Sequence, residues 1–338
     1  MPSATVLKRL VIWGFIALVA FMTCAALFAD LSKVRALIFG IAPHWLAAIL
    51  ASVLFNYALR WCKWQYFLRQ LHITISLADS LWVFFSAFTM VLSPGKVGEV
   101  VKSAFLKARY GLPIARTAPI VMAERLTDLL GLMILALIGS SRFAYGGATL
   151  AGFAVLMVVG MLLITSPRFW ETLHRQVICR FQRLERFKKP FATLQESTTH
   201  LLSPTSLLLM TPLSAISWAG EGVALYCIFR SLDVDRPELL GIALFAHAFS
   251  SILGAVSFLP GGLLVTEGAL GMFFVYVGIG KDQAVSATFL IRALTLWFAV
   301  IIGTFIFLAG RRPGDLAETE SGAVSAESEE RTPADPGK

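Results

Sequence analysis

Charge is what this sequence has least of. Only 15% of its 338 residues are Asp, Glu, Lys or Arg, where a soluble domain carries roughly a quarter, and that excludes an ordinary water-soluble globule. Short alternating stretches of about ten residues, the signature of a membrane-spanning β-barrel, are missing as well. The four cysteines (Cys24, Cys62, Cys179, Cys227) form no CxxC pair and have no histidine at metal-ligand spacing. They read as unpaired apolar fillers, and no metal site is expected. Neither a phosphate loop, an HExxH helix nor a nucleophile constellation occurs, so no cofactor is expected and an enzyme reading has little to rest on.

Apolar length is what the chain has in abundance. Hydrophobic residues make up 57% of it, the mean hydropathy is +0.74, and several runs are long enough to cross about 30 Å of hydrocarbon. The expected fold is therefore all-α and polytopic in a membrane. The net charge of +8 would point to nucleic acid in a soluble protein; here it fits Lys and Arg held beside anionic headgroups on the cytoplasmic side.

Taken in order, residues 10–29 read as a first span, as long as a full crossing and without a small-x-small cleavage site. Residues 44–61 read as a second span ending in a basic, aromatic patch (Arg60, Trp61, Lys63, Trp64, Tyr66, Arg69), which the positive-inside rule puts in the cytoplasm. Arg60, one turn after Asn56, would snorkel toward headgroups there. The amino terminus is then cytoplasmic too. Residues 81–92 are too short for an upright crossing and end at Ser93-Pro94-Gly95. The return arm, 97–107, carries Glu99, Lys102 and Lys107, so a half-helix hairpin entering from the cytoplasm fits both features. Further spans are expected at 117–139, 147–165, 207–229 and 285–309. A basic loop at 166–206 is either an amphipathic surface helix or a solvated linker. Residues 239–259 and 263–279 meet at Pro260-Gly261-Gly262, as a second broken hairpin or as two full crossings. About six full spans plus two broken hairpins result, all within a membrane domain of residues 1–312. Residues 313–338 read as a disordered acidic tail.

The two broken regions can be laid over each other. Pro94 and Arg125 are 31 positions apart, Pro260 and Arg292 are 32; Glu99 and Arg125 are 26 apart, Glu267 and Arg292 are 25. With the hairpins entering from opposite faces, residues 44–140 and 207–310 form an inverted repeat, with a site expected near mid-membrane. Glu99, Glu124, Arg125, Asp128, Glu221, Glu267 and Arg292 are costly in hydrocarbon unless they pair or line water. Glu124 and Asp128, four apart on one helix face, are expected to neutralise Arg125 or Arg292 across the repeat interface. Such pairs either glue helices together or hold an anionic headgroup, with carboxylates carrying a coupling proton. His247 has two readings, a packed core group and a proton relay.

The stretches SPGKVGEVVKSAFL, APIVMAERLTD and FLPGGLLVTEGALG, with the ALRWCKWQYFL patch, resemble the lysylphosphatidylglycerol synthase transmembrane family of flippase-like membrane proteins. The resemblance covers roughly residues 10–310. It places Pro94, Gly95, Gly98, Glu99, Glu124, Arg125 and Asp128 on a first motif and Pro260, Gly261, Gly262, Glu267, Gly268 and Arg292 on a second; Lys102 joins the expected translocation residues. Lys96 and Lys102 stand where arginines are frequent, and Leu264 where glycine is, which would stiffen the second hairpin. The charge pattern puts both termini in the cytoplasm, and the resemblance implies a bacterial inner-membrane protein moving a polar-headed lipid, with other members serving hopanoid or glycosyltransferase pathways. The alternative it leaves is a non-transporting subunit that presents lipid to a lipid-modifying enzyme or glycosyltransferase.

Overall fold

A computed structural model describes residues 30–93, 98–140 and 188–310, with isolated positions between 152 and 172. The expected span at 10–29, that at 147–165 but for two positions, the tip residues Pro94 and Gly95, residues 167–170 and 173–187 of the basic loop, and the acidic tail lie outside the described residues.

Among the described residues every element is helical. In order they are α1 (Leu31–Phe39), α2 (Pro43–Gln70), α3 (Leu77–Ser86) continued by a 3-10 turn (Ala87–Met90), α4 (Val101–Tyr110), α5 (Ile114–Ser140), α6 (Lys188–Leu201), α7 (Pro204–Ser231), α8 (Leu239–Val256), α9 (Val265–Tyr276), α10 (Lys281–Arg292), a π turn (Ala293–Trp297) and α11 (Phe298–Ala309). Among the described residues four stretches are long and apolar enough to cross a membrane: Pro43–Gln70, Pro204–Ser231, Leu239–Val256 and Lys281–Ala309. Helix α5 has comparable length, 27 residues, and carries Glu124, Arg125 and Asp128. Pro43 and Pro204 stand in the first turns of α2 and α7, where proline's fixed φ suits the helix and its missing N–H costs nothing.

Helix α2 corrects the sequence reading. It runs on through the basic, aromatic patch to Gln70, and at 28 residues it is about 42 Å long. Lys63 and Trp64 lie in the protein interior, 1% and 0% exposed, turned toward neighbouring helices and not outward. The reason is tertiary: α7 packs antiparallel along α2, Tyr66 Oη meeting Ser206 Oγ at 3.1 Å and Asn56 Nδ2 donating to Ser217 O at 2.9 Å. Helix α5 also packs closely on α7. A Cβ on Gly131 would fall 2.6 Å from the Ala215 nitrogen, so only glycine permits the approach.

The arms of each broken segment return to one end of the bundle. Asp79 on α3 accepts from Tyr110 Oη and pairs with Arg109 at 2.6 Å, both at the close of α4. Arg236, just before α8, donates to the Val277 carbonyl at 2.6 Å, just after α9. These ends are opposite. Arg116 donates to Leu71 O beside the first pair of arms, whereas Gln283 donates to Leu232 O beside the second. Between them Leu92, just before the first break, approaches the second: a Cβ on Gly261 would lie 3.0 Å from the Leu92 side chain and 3.5 Å from Leu296. Leu296 stands near the middle of the 29-residue stretch Lys281–Ala309.

Candidate functional site

The interior holds two sets of paired charges, one for each broken segment. In the first, Lys63 of α2 contacts Asp128 of α5 and donates to Ser214 Oγ at 2.7 Å. Lys102 of α4 contacts Glu124 and lies 4.8 Å from the centre of the Trp64 ring. Arg125 is 3.1 Å from both Glu99 and Asp128. Four elements thus meet on one ionic network. Its members are buried without becoming isolated charges, because each lies beside a group of opposite charge.

Gly98 closes the described part of the first tip. Its N–H donates to Ser93 Oγ at 2.6 Å, and a Cβ there would fall 2.5–2.8 Å from Ser93 and Met90. The predicted residues Gly98, Glu99, Lys102, Glu124, Arg125 and Asp128 are therefore brought together.

The second set is smaller. Arg292 donates through Nε to Glu267 at 2.6 Å and through Nη2 to the Gly261 carbonyl at 2.8 Å. Gly261 and Gly262 have φ of +61° and +66°, a conformation that glycine adopts freely and side chains resist. Pro260 opens the same short turn. The π turn that follows Arg292 supplies the Thr295 carbonyl as acceptor for Tyr57 Oη at 2.7 Å. Leu264, where the resemblance expects glycine, has a φ of +69°.

The expected cross-repeat neutralisation is not what forms. Arg292 is held by Glu267 of its own half, and Arg125 by Glu99 and Asp128 of its own. The charges close locally because the second arm of each broken segment packs directly against the helix that follows it.

Between the sets lies a cavity of about 70 Å³, lined by Arg60, Tyr57, Trp218, Glu221, His247 and Arg292 among others. As it stands, that volume suits a few waters. His247 Nε2 stands 3.3 Å from Glu221 Oε2 on its wall.

Two residues escaped the sequence reading. Lys63 and Arg60 looked like interfacial anchors, because Trp and Tyr beside Arg and Lys mark headgroup level in most membrane helices. Arg60 does not snorkel. Its side chain is 11% exposed, 3.9 Å from Glu99 and set over the rings of Phe88 (5.5 Å) and Trp218 (5.7 Å). The available signal was spacing: Asn56, Arg60 and Lys63 recur every three or four residues, one helix face. Among the described residues no group of three or more His, Cys, Asp or Glu is placed to hold a metal ion.

Long apolar helices enclosing a paired ionic interior around a central cavity define a multi-pass membrane protein with a polar core. The chain belongs to the family described as the lysylphosphatidylglycerol synthase TM region, whose profile matches residues 7–303. It is similar to a UPF0104 membrane protein of Methanocaldococcus jannaschii, 26% identical over 65% of this chain and 93% of that protein. A UPF0104 membrane protein of Pyrococcus horikoshii is also 26% identical, over 74% of this chain and 82% of its own length. One from Methanothermobacter thermautotrophicus is 21% identical over 88% of this chain and 92% of its own. The matched family describes the membrane portion of the synthases, in keeping with a lipid-handling role for the region.

Proposed function

We infer that the protein moves a polar-headed, anionic or modified lipid across the bilayer. The two broken segments act as re-entrant hairpins entering from opposite faces and related as an inverted repeat. One observation carries this reading: Leu92, just before the first break, packs against Gly261 in the second, level with the middle of the Lys281–Ala309 stretch, and each broken segment carries its own carboxylate–arginine pair. Kinked segments whose ends face a polar cavity at mid-depth are the usual architecture of a substrate path. The small cavity fits a closed state from which the tips part. The basic residues Arg69, Arg109 and Arg116 at the first hairpin's end favour a cytoplasmic placement of that face, and with it of both termini, in a bacterial inner membrane.

The test is reconstitution in liposomes carrying a fluorescent phospholipid, with dithionite reporting which leaflet holds the label. The expected result is protein-dependent exchange lost in Arg292→Gln, with Arg292→Gln still melting cooperatively. No movement with any anionic or zwitterionic phospholipid, with or without a proton gradient, would overturn the reading. A second reading is favoured by the closed cavity itself: a membrane subunit that presents lipid to a lipid-modifying enzyme or glycosyltransferase. It predicts that Glu99→Gln and Arg292→Gln leave the partner's activity intact.

A further inference from the structure

Arg60 stands apart from the other interior cations. Lys63, Lys102, Arg125 and Arg292 each have a carboxylate oxygen within 3.1 Å. The nearest carboxylate oxygen to Arg60 is Glu99 Oε1 at 3.9 Å, beyond hydrogen-bond reach, and the other oxygen of that group already serves Arg125. Phe88 and Trp218 lie against the guanidinium, which suits ring faces and leaves the N–H edge to point elsewhere. That edge belongs to a cavity-lining residue. A guanidinium so far out of water, with donors unused, favours an oxyanion that presents two oxygens in its plane.

Resting on the translocation reading above, we propose that Arg60 is the anion-recognition residue of the central cavity, binding a phosphate or phosphodiester group. Arg292 faces the same cavity with Nε and Nη2 committed to Glu267 and Gly261, so its Nη1 is the group left to meet a second oxygen. Donors on two walls suit the tetrahedral spread of phosphate oxygens better than a planar carboxylate. Tyr57 is no competitor, since its hydroxyl is spent on the Thr295 carbonyl. Glu221 lines the same cavity and opposes an anion, with His247 Nε2 3.3 Å from its carboxylate.

The test is calorimetric titration of the full detergent-solubilised chain with two probes, inorganic phosphate and dihexanoylphosphatidylglycerol. The expected result is saturable binding, weakened at least about tenfold in Arg60→Gln and partly recovered in Arg60→Lys, which restores the charge without the fork. Lipid binding alone assigns the site to a headgroup; equal binding of inorganic phosphate assigns it to free phosphate. A cooperative melt near the native temperature shows that Arg60→Gln is folded. If it does not fold, Arg60→Lys carries the test and must bind severalfold more weakly than native. Binding of neither probe, or native-like binding by the variant, overturns the proposal. Arg60-dependent binding without lipid movement in liposomes leaves the site standing and sinks the translocation reading. Normal movement by folded Arg60→Gln does the reverse.

Discussion

Glu267 accepts from Arg292 Nε at 2.6 Å, and the same guanidinium reaches the Gly261 carbonyl at 2.8 Å. One side chain thus ties the tip of the second broken segment to the helix that follows it. Glu99 and Arg125, 3.1 Å apart, make the corresponding tie in the first half. The separations along the chain, 26 and 25 positions, differ by one.

Replacing Arg292 by lysine keeps the charge and loses the two-directional grip. The expected cost is about 1–3 kcal/mol of stability, because the Gly261 carbonyl loses its charged donor. Lipid exchange should fall with it. Thermal melts and the dithionite assay, run on the same preparation, check both.

Lys63→Met should be among the most damaging single changes in the chain, at roughly 3–5 kcal/mol, because Asp128 keeps its charge and loses its closest partner. Lys63→Met combined with Asp128→Asn should be milder than Lys63→Met alone. Folded yield and unfolding midpoints of the three proteins, compared as a double-mutant cycle, decide it. A double variant worse than either single one would contradict the burial argument.

Leu264→Gly should stabilise the second tip. A leucine in the left-handed region costs roughly 1–2 kcal/mol, and the backbone freedom that glycine gives up on folding is worth about 0.5–1 kcal/mol. The net gain is roughly 0–1.5 kcal/mol, read as a higher melting temperature. The side chain is half exposed, so little packing is lost.

Asp30 caps α1, accepting from the Ser32 backbone N–H at 2.9 Å and the Ser32 hydroxyl at 2.6 Å. The Ser32 side-chain bond first, and its backbone bond second, hold the Asp30 carboxyl below its ordinary value of 3.8. A depressed carboxylate stabilises the fold above its unfolded value, and the contribution is lost as pH falls through the folded one. Amide exchange across Leu31–Phe39, corrected for its intrinsic rate, should therefore quicken between about pH 5 and about pH 2. Asp30→Asn, which caps without titrating, should remove that dependence.

The legible part of the site was its motif residues. Gly98, Glu99, Lys102, Glu124, Arg125, Asp128 and the Pro260–Gly262 turn with Glu267 and Arg292 announce themselves because a charge or a Pro-Gly break in an apolar stretch is expensive and therefore conspicuous. Lys63 and Arg60 were illegible for the opposite reason. A basic residue beside tryptophan at the end of an apolar run has an inexpensive explanation in headgroup anchoring. Only the partner helix shows that it was not used.

The sequence by itself determined that this chain is helical, multi-pass and charged in its interior, since apolar length and scarce charge leave no other solvent for it. Which cation meets which carboxylate was decided by tertiary structure alone. Such pairing depends on how α2, α5 and α7 lie against one another, and side chains remote along the chain become neighbours only once those helices have packed.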